Sequence, residues 1–99
     1  MIFFFMKTSK QLERHFKGIA NHHRLDILLL LSGGGGLSLE DIAETLNCHF
    51  KTISVHTRRL VEAGLLNKKY QGRSVLHFLS PYGKIIIKFI KTFQHSNEC

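Results

Sequence analysis

A run of four glycines, Gly33 to Gly36, interrupts the chain about a third of the way along. No regular helix passes through such a run, because glycine loses more backbone freedom on being fixed than any other residue. Whatever precedes it and whatever follows must therefore fold as separate short elements. The glycines invite a phosphate-loop reading, but no Lys-Ser or Lys-Thr follows and no strand-like run precedes, so the cradle and its cation are missing. The run reads instead as a flexible connection between two helices.

The segments on either side have helical periodicity. Over 8–20 the apolar residues Leu12, Phe16 and Ile19 are spaced four and three apart with charged residues between them, which predicts an amphipathic helix. Asn21 can cap a second helix to about Leu31, apolar on every side toward its end and so central to a core. Beyond the glycines, Ser38 and Asp41 have capping-box spacing for a short helix that turns Ile42, Ala43 and Leu46 inward. Asn47, Cys48 and His49 form a turn, a helix covers 50–63, and Gly64 ends it. The β-prone runs LLNKKY and VLHFL, joined through Gln71-Gly72-Arg73-Ser74, read as a hairpin over 65–79. Ser80 and Pro81 open a closing helix over 81–95.

Ninety-nine residues, 43% of them hydrophobic and 21% charged, have the size and composition of one globular domain spanning 1–99. Two cysteines, Cys48 and Cys99, cannot build a disulfide framework and suit a reducing, cytoplasmic setting; Cys48 reads as a small core residue. The apolar start MIFFFM, inside an extension over 1–7, is too short for a signal-peptide core or a bilayer span, and is expected to pack on the domain or on a second copy. The charge is uneven. Up to Glu44 there are five basic and five acidic side chains; from Thr45 onward there are nine basic and two acidic, so the second half carries the whole net +7 and implies a polyanionic partner.

A short helix, a tight turn and a basic helix followed by a hairpin predict a mainly α fold with a small β-hairpin, a winged helix-turn-helix. At 100° per residue, Ile53, Thr57 and Leu60 share one direction on helix 50–63 and pack inward. Lys51, Ser54, Val55, Arg58 and Glu62 point the opposite way, with Thr52, His56 and Arg59 at the margins. Cations, hydroxyls and a small aliphatic group on one exposed face suit phosphates, base edges and thymine methyls in the major groove of double-stranded DNA. Lys68, Lys69, Gln71 and Arg73 gather at the hairpin, and an arginine at its tip fits a narrow minor groove.

The stretches IANHHRLDILLLL, LSLEDIAETLNCHFKTISVHTRRL, VEAGLL and QGRSVLHFL together resemble the ArsR-type winged-helix transcriptional regulators, over about Phe16 to Leu79. The resemblance implies a homodimeric repressor, helix 50–63 as recognition helix, Arg73 at the wing position usually held by arginine, and helices 8–20 and 81–95 as dimerisation helices. It also implies control by a metal ion or another signal, but the sensing residues do not carry over. Ser38 and Glu40 stand where metal-sensing members have a Cys-x-Cys pair, and the closing helix offers only His95 in place of a carboxylate-histidine set.

No metal and no cofactor is therefore expected. Neighbouring His22 and His23 should diverge by about 100° on their helix, and His95 with Cys99 lies at a terminus. The closing helix bears Ile85, Ile86, Ile87, Phe89, Ile90 and Phe93, more apolar circumference than one small core can bury. A dimer interface is expected from Leu12, Phe16, Ile86, Ile87, Ile90 and Phe93. Two other classes compete. A winged-helix scaffold that binds only protein is opposed by the net +7, and a histidine-based nuclease by the lack of a carboxylate cluster for metal-assisted phosphoryl chemistry, since Glu40, Asp41 and Glu44 read as capping and solvation. The chain is read as a DNA-binding regulator, not an enzyme.

Overall fold

The computed structural model describes residues 6–95. The expectation for the apolar start thus lies mostly outside the described residues, and any role of Cys99 wholly so. Of the extension, Met6 and Lys7 are seen, with Lys7 Nζ 4.1 Å above the Tyr82 ring.

Among the described residues the elements follow the expected order: α1 (Ser9–Ile19), α2 (His22–Leu31), α3 (Leu39–Thr45), α4 (Phe50–Glu62), β1 (Leu66–Gln71), β2 (Ser74–Leu79) and α5 (Pro81–Gln94). Among the described residues, α1, α2, α3 and α5 start where a side chain serves an orphan backbone donor, whereas α4 follows His49 with no side-chain cap. Thr8 and Gln11 form a reciprocal capping box on α1, and Asn21 Oδ1 accepts from the N–H groups of His23 and Arg24 on α2. On α3 the cap is one-sided, with Ser38 Oγ accepting from Asp41 N–H at 3.1 Å.

The core is built around α4. Its inward stripe, Ile53, Thr57 and Leu60, is fully buried with Ile27, Leu28 and Leu31 of α2, Ile42 of α3, and Leu65 and Leu66 at the start of the hairpin. Each such aliphatic side chain contributes about 1.5 to 3 kcal/mol by leaving water. The hairpin pairs Leu66 with Leu79 through to Gln71 with Ser74, closing on a two-residue loop whose first residue, Gly72, has φ +61°. That position demands positive φ in a tight hairpin, which is why glycine stands there.

One pairing has no counterpart in the sequence pattern. Leu37, just after the glycine run, exchanges backbone hydrogen bonds with His77 on β2 (2.8 and 3.1 Å), adding a one-residue third strand. The glycine connection is therefore anchored at its far end.

The corner between α4 and the hairpin also seats α5. Gly64, with φ +78°, ends α4, and Ser80 Oγ donates to its carbonyl at 2.7 Å while accepting from Gly83 N–H at 2.9 Å. Ser80 N–H donates to Leu65 O at 3.0 Å. A single buried hydroxyl thus caps α5 and docks it on the end of α4.

This docking corrects one expected interface residue. Ile87 is 6% exposed within a single chain and belongs to the core, so it is not available to a second copy. The exposed stripe on α5 is Ile85, Phe89 and Phe93, with Ile86 and Ile90 half-buried at its edge. Among the described residues no helix is long and apolar enough to cross a membrane.

A Cβ at Gly83 would collide with the Leu65 carbonyl oxygen. Helix propensity alone would make Gly83→Ala stabilising by about 1 kcal/mol. The clash is with backbone that cannot yield, so we expect a net loss of about 1 to 3 kcal/mol instead, read as a lower urea midpoint in equilibrium unfolding.

Candidate nucleic-acid interface

With Ile53, Thr57 and Leu60 anchored, the opposite face of α4 is held in the open. Lys51, Val55, Arg58 and Glu62 are exposed and Ser54 is half-buried. A packed inner stripe fixes the helix's rotation, so this outer set is presented as a rigid surface.

The marginal residues do not share that surface. His56 is half-buried and turned toward α2, where Arg24 Nε donates to its Nδ1 at 3.2 Å. The same guanidinium donates to Lys17 O at 3.1 Å, tying α4 to the end of α1. Arg59 lies on this side too, in a cleft with Arg14, Lys17 and Arg24, and 3.9 Å from Glu62. Thr52, four residues before His56, is half-buried. His56 ties α4 to α2 through Arg24, which had no signal in the sequence beyond being a cation in a helix, while the ion pair of Arg59 stays within α4.

The wing's cations divide between two faces. Cross-strand partners point to the same side of a sheet and neighbours along a strand to opposite sides. Lys68, paired with buried His77, is on the face turned to α4; Lys69 and Gln71 are on the other face, and Arg73 is exposed in the loop. The sequence cluster is therefore two groups, which the period of two along a strand could have revealed.

The histidines are closer together than helical divergence alone implies. The rings of His22 and His23 are 4.0 Å apart between centroids, and His23 stacks on His56 at 5.0 Å. Cys48 packs at the margin of the core, as expected of a small core residue, with its Sγ 4.0 Å from His23 Nδ1. Among the described residues no group of three or more His, Cys, Asp or Glu is arranged to hold a metal ion. His15 is buried, and its Nδ1–H donates to Ala63 O at 2.7 Å, joining α1 to the end of α4.

Away from the α4 face, Leu12, Phe16, Tyr82, Ile85, Phe89 and Phe93 leave an apolar surface exposed across α1 and α5, with Phe93 as much as 67% accessible. Phe89 and Phe93 meet edge to face at 4.9 Å. Leu12 and Phe16 of α1 thus face away from the core, while Ile19 at its end packs against it.

Burial, followed by the charges of Arg24, His23, His22 and Arg59, holds His56 below the ordinary imidazole value of 6.5. His77 is lowered as well, first by burial and then by Lys68, against the opposing pull of the Leu37 carbonyl and Glu40. A depressed imidazole takes up fewer protons folded than unfolded, so stability is greatest above pH 6.5 and falls as pH drops through 6.5 toward the folded-state values. Urea unfolding between about pH 7.5 and about pH 5.5 should show that slope. His56→Gln, which keeps an acceptor for Arg24, should make it shallower, and a stability that rises on acidification would contradict the assignment.

Comparison with known proteins agrees with this geometry. Residues 19–69 match the family model described as a helix-turn-helix domain. The chain is 42% identical over 67 residues to the arsenical resistance operon repressor of Escherichia coli (strain K12), covering 68% of this chain and 57% of that relative's length. Among solved structures, the transcriptional regulator HlyU of Vibrio vulnificus CMCP6 superposes with a TM-score of 0.73 at 27% identity, over 86% of this chain and 88% of that one. A homodimeric winged helix-turn-helix DNA-binding domain from Mycobacterium bovis shares the fold with a TM-score of 0.75 at 20% identity, over 95% of each chain. With the helix-turn-helix, the hairpin behind it and the flanking helices all in place, the chain belongs to the helix-turn-helix domain family, as a winged-helix member of ArsR type.

Proposed function

We propose that the protein is a sequence-specific DNA-binding transcriptional regulator, a dimeric repressor that sets α4 in the major groove and lays the wing against the flanking duplex. The observation that carries this reading is the pairing of opposite faces on α4: a buried stripe that fixes the helix and an exposed one bearing Lys51, Ser54, Val55 and Arg58. Lys68 continues that surface onto the hairpin, Lys69 and Gln71 add to the wing's other face and Arg73 to its tip, and the whole net +7 lies in this half of the chain. His56 orients α4 through Arg24, and Thr52, His56 and Arg59 reach DNA from the edge of the surface.

Binding rather than catalysis is its work, in the cytoplasm, with no cofactor and no metal at the positions where its relatives' type is read as sensing one, since Ser38 and Glu40 supply no thiolate. Dimerisation is supported by the apolar surface on α1 and α5 and by the homodimeric state of the Mycobacterium bovis neighbour. Leu12, Phe16, Ile86, Ile90 and Phe93 remain in the proposed interface, joined by Ile85 and Phe89.

Selection of bound fragments from randomised duplex DNA tests the reading: a palindromic consensus is expected, with affinity falling on the order of a thousandfold between about 50 and 200 mM salt. Retention with no sequence preference would defeat it. Arg58→Ala should cost about 1 to 3 kcal/mol and relax preference at particular base pairs, whereas Lys69→Ala should weaken all sequences alike. The reverse pattern would exchange the roles of helix and wing. The doubly substituted chain Ile85→Glu with Phe93→Glu should remain folded but run as a monomer in light scattering, and should bind a full palindrome poorly, because half-sites about one turn apart require two rigidly joined helices.

A further inference from the structure

Between α3, α4 and the base of the hairpin lies a recess of about 140 Å³ that the core does not fill. At roughly 30 Å³ per water it has room for several waters, or for one tetrahedral oxyanion. Two of its lining side chains are buried and polar. Thr57 is 1% exposed, and its hydroxyl oxygen has no hydrogen-bond partner among the described residues. His77 is 3% exposed; its Nδ1–H donates to Leu37 O at 3.1 Å, which leaves Nε2 outside that bond.

An unpaired buried hydroxyl costs on the order of 1 to 3 kcal/mol, so an acceptor brought against this wall of the recess would relieve that cost. The remaining polar lining defines the occupant's charge. Ser54 offers a second hydroxyl, and Arg58 of α4 and Lys68 of β1 bring two cations to the same recess. Leu39 and Val61 close it with apolar wall. Hydroxyl donors, an imidazole and two cations around one small space match a phosphate-class oxyanion, which accepts hydrogen bonds on every side.

We propose that this recess is a binding site for a phosphate-class oxyanion, held by Thr57, Ser54 and His77 and neutralised by Arg58 and Lys68. The groups facing His77 are the Leu37 carbonyl, Lys68 on β1, Glu40 on α3 and Arg58 on α4, so among the described residues Glu40 is the acidic side chain set against the anion. A bound anion favours protonated His77 and opposes the burial and the Lys68 charge that lower it, so affinity rises as pH falls. Where the recess meets the proposed DNA surface, an anion in it occupies Arg58 and Lys68. That consequence, unlike the binding itself, rests on the DNA-binding reading.

The test follows the His77 ring resonances of the full chain while inorganic phosphate is added at constant ionic strength against chloride, with no DNA present. A saturable shift is expected, together with an upward move of the His77 titration in phosphate. Thr57→Val, which removes only the orphaned hydroxyl and should melt no lower than the parent, is expected to weaken phosphate about tenfold, equivalent to about 1.4 kcal/mol. Lys68→Gln, on an exposed strand position, gives a second reading and should weaken it as well. No saturable shift, or an affinity unchanged in both variants, would overturn the proposal and leave a recess that holds water only. Duplex DNA is then added: displacement of phosphate with the His77 shift retained assigns the site to a backbone phosphate, and phosphate kept on the DNA-bound protein assigns it to a free anion. Because the phosphate titration needs no DNA and the duplex selection needs no phosphate, failure of either reading leaves the other standing.

Discussion

Burial of one stripe of α4 is the constraint on which the rest of the structure depends. Ile53, Thr57 and Leu60 are fixed against α2, α3 and the start of the hairpin, and every other element is placed relative to that stripe. Close packing permits little rotation of the helix about its own axis. The outward face is therefore displayed in one orientation, and reading a groove requires that. Thr57 is an instructive member of the stripe. It fills the volume of a valine but carries an unpaired hydroxyl into the core, and the residue borders the recess beside the wing.

The two flanks of α4 are held by different chemistry. On one side Arg24 gathers His56, Lys17 O and Gly18 O into a hydrogen-bonded tie between α4, α2 and α1. The stacked His22, His23 and His56 rings lie beside it. Protonation of His56 adds like charge beside the Arg24 guanidinium, in a site where burial already disfavours it. On the other side, apolar packing and the Leu37–His77 pairing seat the wing. A helix clamped by a polar tie on one edge and a small sheet on the other presents its middle to a partner.

The outer helices solve a different problem. α5 enters the core through Gly83, Ser80 and Ile87, and α1 through His15 and Gly18; beyond these points both expose apolar side chains. The contiguous surface formed by Phe16, Ile85, Phe89 and Phe93 is unlike the face of a helix that meets only water. It lies apart from α4's outward face, so a second copy could cover it without masking the charged surface.

How much of this was legible in the chain follows from the range of the forces involved. Periodicity, caps and glycine breaks act over a few residues. They placed all five helices and the hairpin within a residue or two, and separated Ile53, Thr57 and Leu60 from Lys51, Ser54, Val55 and Arg58, because a helix's angular order is a local property. Net charge needs no fold at all to be read. What the tertiary structure alone decided depends on where distant segments meet. Ile87 became core while Ile85 and Phe89 stayed outside, because the Ser80 and Gly83 contacts set the rotation of α5 on Leu65. His56 was drawn to Arg24, thirty-two residues away in sequence. Leu37 found His77, and Thr57, Ser54, Arg58, Lys68 and His77 came to line one recess. An apolar or charged residue declares its preference for burial or water by itself, but its neighbour across space is chosen by the packing of whole elements, which no local pattern encodes.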